Sequence, residues 1–586
     1  MKRWFVYSLV FFFILFYTIA LSSGVACAKN TGQDGAEQQK SNKTVTLPEQ
    51  AAEGEGQKKG HEGKAYSRPN FLLIVADDLG WTDIGSFGSE ISTPNLDRLS
   101  QSGVKFTDFH VSVSCSPTRS MLLSGTDNHI AGLGNMSEGI TPQQDGKPGY
   151  EGYLNDRVVS LAEVLRDGGY HTYMSGKWHL GEEPEHYPHA RGFERSFSML
   201  YGGSSYWSDM HGLLAETQET AKYVMDDEEL DSLPKDFYAT RNYCDYLMDT
   251  IRENQGDGQP FLAYLSFTAV HDPLHVPEPW HSQYRGNYDD GYGVLKAKRA
   301  TAAQQLGLIP SGAQPAKLHH LAKPWEALSP EEQALESRAM EVYAGMVSNM
   351  DYHIGRVLDF LIDIGEYENT VIIFLSDNGS NPWYSADYPG NRDSEFMAQF
   401  DNSLENLGHP MSHYAYGTGW ASACSGPLDM FKLVVGEGGI RSPAIFSGPG
   451  VMGGRQSDAF SYVTDIMPTI LEMAGVEHPE EFRGRKVEPM RGHSMTGILS
   501  GQKESSYEDS DFVGGEMANG KWIRQGDFKA IFVQKPYGLE KWQVFNVEED
   551  TGETRDLADE QPDLLKKLTD AWYQYASEVG VVLYEK

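Results

Sequence analysis

Cys115-Ser116-Pro117-Thr118-Arg119 sets a thiol just ahead of a proline and an arginine. Proline favours the first turn of a helix, so residues 116–123 are expected to open a helix with Cys115 at its lip. The unpaired N–H groups and partial positive charge of a helix N-terminus suit an anion. Arg119, one turn on, adds a planar donor fork that matches sulfate or phosphate oxygens. An ordinary buried cysteine before a helix looks the same in isolation. The remaining polar motifs decide between the two.

Two polar pairs, Asp77-Asp78 and Asp377-Asn378, each follow a short apolar run. Adjacent acids beyond a buried strand are costly unless neutralised, and a divalent cation is the usual answer. Three carboxylates and an amide oxygen make a hard oxygen site, suited to Ca²⁺ or Mg²⁺ and not to zinc. Asp and Asn also cap helices and build turns. Two such pairs in equivalent places favour the metal.

Gly169 to His179 is the next dense stretch, ending Gly176-Lys177-Trp178-His179. It is no phosphate-binding loop, because Trp178 stands where Ser or Thr would hold magnesium. His271 sits in Val270-His271-Asp272-Pro273, and Lys432 precedes Glu437-Gly438-Gly439-Ile440-Arg441-Ser442-Pro443. Taken singly, these are a loop histidine and a surface lysine.

The elements that must carry these residues alternate in type. Apolar runs at 71–76, 261–267 and 371–375 are too short for most helices and read as buried strands. Thr93-Pro94 opens a helix that Gly103 ends. Met340, Tyr343, Met346, Val347, Met350, Ile354, Val357, Leu358, Leu361 and Ile362 keep helical spacing, and the Met stripe reads as core. This alternation is that of an α/β fold, with a large, mainly parallel or mixed sheet sandwiched by helices. Such sheets bind ligands just past the carboxyl ends of their strands, where Asp77-Asp78, Asp377-Asn378 and His271 fall. From about residue 504 the texture changes to short strands over 521–533 and 542–546 and a helix over 562–579. That is a smaller C-terminal α+β subdomain with a short antiparallel sheet.

Taken together, the motifs resemble those of the type I, formylglycine-dependent sulfatases, arylsulfatase-like members of the alkaline phosphatase superfamily. The pentapeptide at 115–119 matches C-x-P-x-R, and Gly169 to His179 matches the second signature, which runs from Gly-Tyr to Gly-Lys-x-His. The likeness covers residues 70–450 and, more loosely, Gly526-Asp527-Phe528-Lys529 and 552–557 in the C-terminal part. It implies that a maturation enzyme oxidises Cys115 to formylglycine. It also implies that Asp77, Asp78, Asp377, Asn378 and the modified Cys115 hold Ca²⁺ or Mg²⁺. The implied reaction is hydrolysis of a sulfate monoester, small-molecule or carbohydrate, through a covalent sulfo-enzyme intermediate. Arg119, Lys177 and Lys432 would meet the sulfuryl oxygens, and His271 with Lys432 would protonate the departing oxygen. His179 would sit beside the nucleophile and deprotonate its second hydroxyl. Two alternatives stay open: a phosphonate monoester or phosphodiester hydrolase of the same superfamily, and a non-catalytic anion-binding protein with Cys115 unmodified.

The chain as a whole has 586 residues, 40% of them apolar, and a net charge of −35. That charge argues against a nucleic-acid partner. An anionic substrate then needs a local positive pocket, which screening beyond about 8 Å allows. Lys2 and Arg3, an apolar run over 4–21 and Ala26-Cys27-Ala28 read as a signal peptide or membrane anchor over 1–28. Export to the periplasm or the cell exterior follows. Residues 29–67 read as a disordered linker, 68–503 as the catalytic domain and 504–586 as the C-terminal subdomain. Four cysteines are too few for a disulfide framework, and Cys244 and Cys424 either pair or stay free. The segment 381–420 carries Trp383, Tyr384, Tyr388, Phe396, Phe400, Tyr414 and Tyr416, as a pocket wall or as loop packing.

Overall fold

Apolar runs without polar alternation belong inside a sheet covered on both faces. Asn70–Ala76, Phe261–Ser266 and Thr370–Ser376 are such runs. In the computed structural model, which describes residues 68–215 and 218–584, all three are buried along their whole length. They lie side by side as parallel neighbours, continued by His171–Lys177 and Arg195–Met199. On the other flank Arg441–Ser447 runs antiparallel to Thr370–Ser376, and Val104–His110 runs antiparallel to Arg441–Ser447. The sheet is therefore mixed, with 11 strands and a parallel centre. Each large apolar side chain buried in it is worth about 1.5–3 kcal/mol.

The helices cover this sheet. Pro330–Asp363 is 34 residues long and starts with a reciprocal cap between Ser329 and Glu332, which satisfies two otherwise orphaned N–H groups. Met340, Met346 and Met350 are fully buried in the core, as their spacing implies, whereas Ile362, in the last turn of the helix, is exposed. Pro94–Ser102 ends at Gly103, as expected from the sequence. The helix at the cysteine motif runs Cys115–Ser124, one residue earlier than the proline suggests, and every one of its residues is buried.

Four strands, Val513–Met517, Gly520–Gln525, Phe528–Phe532 and Trp542–Asn546, form an antiparallel meander near the C-terminus. Helix Pro562–Val579 packs Leu568 and Trp572 on Ile523, Ala530 and Val544 of that meander. Buried charges tie the meander to the larger sheet. Lys529 Nζ lies 2.6 Å from Glu437 Oε1 and 2.9 Å from Glu553 Oε1, and Arg524 Nη2 lies 2.8 Å from Asp108 Oδ2.

Cys244 and Cys424 are separate buried thiols. Among the described residues no helix is long and apolar enough to cross a membrane. The segments assigned to export and to the linker, 1–28 and 29–67, lie outside the described residues.

Candidate active site

Strand register builds the site. Asn70 pairs with Thr370 and Ala76 with Ser376, so the next residues of these parallel neighbours, Asp77 and Asp377, emerge side by side. The Asp377 N–H donates to Ala76 O at 3.0 Å. On the other side of Asn70–Ala76, Gly176 pairs with Ser266. Lys177 and the loop bearing His271 therefore leave at the same end. All of these polar residues follow carboxyl ends of adjacent strands, where the fold leaves a crevice.

Asp77, Asp78, Cys115 and His271 each offer a ligand atom within 4.8 Å of the others. Cys115 Sγ lies 3.4 Å from Asp77 Oδ1, and Lys177 Nζ lies 2.7 Å from Asp77 Oδ2. Asp78 faces Lys432 Nζ at 2.7 Å through Oδ1 and His271 Nε2 at 3.4 Å through Oδ2. Asn378 Nδ2 donates to Asp78 Oδ1 at 2.6 Å. Asp377 accepts from Arg119 and also takes the Asp78 N–H at 3.4 Å. Arg119 further donates to Ser266 Oγ and, at 3.2 Å, to Lys177 O. Asp78 and His179 both adopt left-handed backbone, with φ of 62° and 56°. Such conformations cost on the order of 1–3 kcal/mol and gather at functional sites.

Burial alone would lift all three carboxyls. Lys177 and His271 nevertheless hold Asp77 below its ordinary range, and His271 and Lys432 do the same for Asp78. Asp377 is raised, by burial and by the charge of Asp77. Burial pushes the Cys115 thiol up, and Asp78 keeps the buried Lys432 charged. Burial lowers His179 despite the neighbouring Glu138 carboxylate.

The residues fit a hard divalent cation. Asp78 Oδ2 and Asn378 Oδ1 are buried without a hydrogen-bond donor, an arrangement that costs free energy unless something positive takes up the lone pairs. Asp77, Asp78 and Asn378 converge as the sequence suggests. Asp377 differs in part, since one of its oxygens is held by Arg119, while His271 joins the acid group directly.

Above the acids lies a pocket of about 100 Å³. Cys115, His179, His271 and Lys432 line it, whereas Arg119 and Lys177 lie fully buried outside its lining, against Asp377 and Asp77. Of the eight Trp, Tyr and Phe side chains in 381–420, only Trp383 and Tyr388 reach this pocket. Their rings meet edge to face at 5.0 Å, and Trp383 Nε1 donates to Tyr537 Oη at 3.1 Å. Phe396 and Phe400 pack on each other and on His413, and Tyr416 packs on Tyr343. For most of that segment the packing alternative holds.

Three polar residues at the site escape sequence reasoning. Ser266 links Arg119 to the Lys177 carbonyl, donating to it at 2.7 Å. Asp272 accepts from Asn381 Nδ2 at 2.6 Å and from Tyr388 Oη at 2.9 Å. Glu138 approaches His179 across the pocket. Adjacency to His271 could have flagged Asp272, but Glu138 lies in no motif.

A family model described as Sulfatase matches residues 69–476. An uncharacterised sulfatase of Schizosaccharomyces pombe is 45% identical over 529 residues, spanning 88% of this chain and 94% of the relative. An arylsulfatase of Klebsiella aerogenes is 38% identical over 441 residues, spanning 75% and 94%. The crystal structure of Ps i-CgsB superposes with a TM-score of 0.62 at 23% identity, covering 87% of this chain and 93% of that one. The same protein has also been solved in complex with k-i-k-neocarrahexaose.

Proposed function

Because this chain belongs to the sulfatase family and is a sulfuric ester hydrolase, we propose that it cleaves sulfate monoesters with a formylglycine made from Cys115 and a bound Ca²⁺ or Mg²⁺. The observation that carries this reading is the placement of Cys115. It starts a buried helix, lies 3.4 Å from Asp77, and opens onto the same pocket as His179, His271 and Lys432.

Asp77, Asp78, Asn378 and, through its freer oxygen, Asp377 would hold the cation. A hydrated aldehyde at residue 115 supplies two hydroxyls on one carbon, and the cation supplies Lewis acidity that lowers a hydroxyl's pKa. The chain's own residues do the rest. Lys432 meets the sulfuryl oxygens from the pocket wall, and Arg119 and Lys177 add positive charge from behind the acids. His271, beside Lys432 across Asp78, gives a proton to the departing alcohol or phenol oxygen. His179 takes a proton at the nucleophile's side of the pocket, and burial keeps it neutral and able to do so.

The Trp383 and Tyr388 rings suit an aryl or sugar leaving group. Sulfated carbohydrate is one candidate class, in line with the carrahexaose complex of Ps i-CgsB. Export led by residues 1–28 is part of the same proposal, and cell fractionation tests it.

Mass spectrometry of the peptide containing residue 115 tests the core of the reading, together with turnover of 4-nitrophenyl sulfate. The expected result is an aldehyde at 115 in active protein and loss of both in Cys115→Ala. A retained thiol in fully active protein would overturn it. Comparing a sulfate monoester with a phosphodiester of the same leaving group separates the sulfatase from a diesterase.

A further inference from the structure

Glu138 is a charged group lining the pocket that the reaction above leaves without a task. Its carboxylate oxygens lie 3.3 and 3.4 Å from His179 Nε2. The short turn Ser137–Gly139 that carries it is pinned by Asn135, whose Nδ2 donates to Gly139 O at 2.7 Å and whose Oδ1 accepts the Met136 N–H at 2.9 Å. Ser137 Oγ donates to Glu138 Oε2 at 2.9 Å.

The imidazole is equally constrained. Its main-chain N–H donates to Leu200 O at 3.2 Å, and the ring lies against Gly202, where an added Cβ would fall 2.9 Å from Cε1. Nδ1 is buried with no hydrogen-bond partner. Lys177 and Arg119 are the other charged groups that act on this ring. Burial would raise the Glu138 carboxyl, but His179 beside it holds it down to about 2. An ionised carboxylate only accepts, so the ring nitrogen facing it must carry the proton.

We propose that Glu138 is a positioning residue for His179: its carboxylate fixes the proton of the neutral imidazole on Nε2 and so leaves Nδ1 as the lone pair that accepts a proton. This rests on the role given to His179 above. The arrangement follows the general logic in which a hydrogen-bonded carboxylate holds a base in one tautomer and orientation.

Glu138→Gln and Glu138→Ala test it with two readouts. In the whole chain labelled with 15N-histidine, with His179 identified by difference from His179→Ala, the ring is expected in the Nε2–H tautomer. Glu138→Ala is expected to lose that preference. With 4-nitrophenyl sulfate, Glu138→Gln is expected to keep KM within about twofold and to retain a first-turnover burst of nitrophenol. Its steady-state kcat is expected to fall about 10- to 100-fold, a part of what a positioned base contributes. Removing the negative charge also destabilises the imidazolium, so the acid limb of kcat is expected to move to lower pH. Unchanged ring-nitrogen signals in Glu138→Ala, or a raised KM with intact kcat in Glu138→Gln, would overturn the inference. If His179→Ala itself turns over normally, the role of His179 fails instead. A trapped His179→Ala beside a normal Glu138→Gln overturns only the part given to Glu138.

Discussion

Arg119 grips a single oxygen of Asp377 with two donors, Nε at 2.9 Å and Nη2 at 2.7 Å. Both side chains are fully buried, so the pair is shielded from water and its geometry cannot relax cheaply. The same guanidinium reaches Ser266 and the Lys177 carbonyl. One planar fork thus ties the helix of the cysteine motif to the ends of three strands. A lysine has one donor centre and cannot serve these partners together. Arg119→Lys is expected to lower kcat on 4-nitrophenyl sulfate about 100-fold, the scale of losing a preorganised charge donor. The melting temperature is expected to fall with it. Wild-type kinetics in that variant would contradict the arrangement.

The crowding of Asp77, Asp78 and Asp377 is expected to make the fold sensitive to metal. Dialysis against a chelator is expected to abolish turnover and lower the melting temperature, and added Ca²⁺ to restore both. A cation at one hundred times its Kd stabilises by about 2.7 kcal/mol, which a thermal scan resolves. Asp78→Asn removes a charge with little change of shape, and it is expected to weaken the calcium-dependent part of the melting shift. A melting temperature indifferent to chelator and calcium would count against a metal here.

Lys529 reaches from the C-terminal meander to Glu437 and Glu553 and is itself fully buried. His110 Nε2 also lies 3.1 Å from Glu437. Lys529→Met leaves Glu553 without a cation and Glu437 with only Arg441 at 3.4 Å and His110, and breaking a buried pair typically costs about 3–5 kcal/mol. Glu437 follows shortly after Lys432 in the same loop, so kcat is expected to drop as well. Denaturant unfolding and kinetics on the same preparation check this. A variant as stable as wild type would show that the meander is held by other contacts.

His129 is expected to make stability depend on pH. It is buried between Asp127 at 2.9 Å and Glu516 at 3.1 Å. Burial alone would lower its pKa, but those two hydrogen-bonded carboxylates raise it from 6.5 to about 9. A folded-state pKa above the unfolded one adds stability that is complete below about 6.5 and lost as pH rises through about 9. At about 1.4 kcal/mol per pH unit the contribution is on the order of 3 kcal/mol. The melting temperature is expected to decline across that window in wild type and much less in His129→Gln. Parallel declines in both would remove His129 as the cause.

Much of this architecture was legible because its signals are local. The runs at 71–76, 261–267 and 371–375 have no polar face, and only a covered sheet accommodates them. Pro562 and Gly580 bracket the last helix so sharply that its bounds, Pro562–Val579, follow from sequence. The direction of Arg441–Ser447 was not legible, since strand sense depends on the connection and not on side chains. Val513–Met517 carries Gly514 and Gly515, which hide a strand whose pairing comes from Gly520–Gln525. At the site, the acid pairs stood out because they follow strands. Glu138 did not, because its relation to His179, 41 positions further along the chain, exists only once the chain has folded.

The hydrogen bond from Trp383 to Tyr537 means that an aromatic of the pocket lining is braced from outside by the C-terminal part of the chain. The ring proposed to face the leaving group is thus held in place by a stretch of sequence far from the one that carries Cys115 and Arg119. Exchanging Tyr537 and its immediate neighbours for those of a relative, with Lys529 and Glu553 kept, is expected to change which alcohols are accepted.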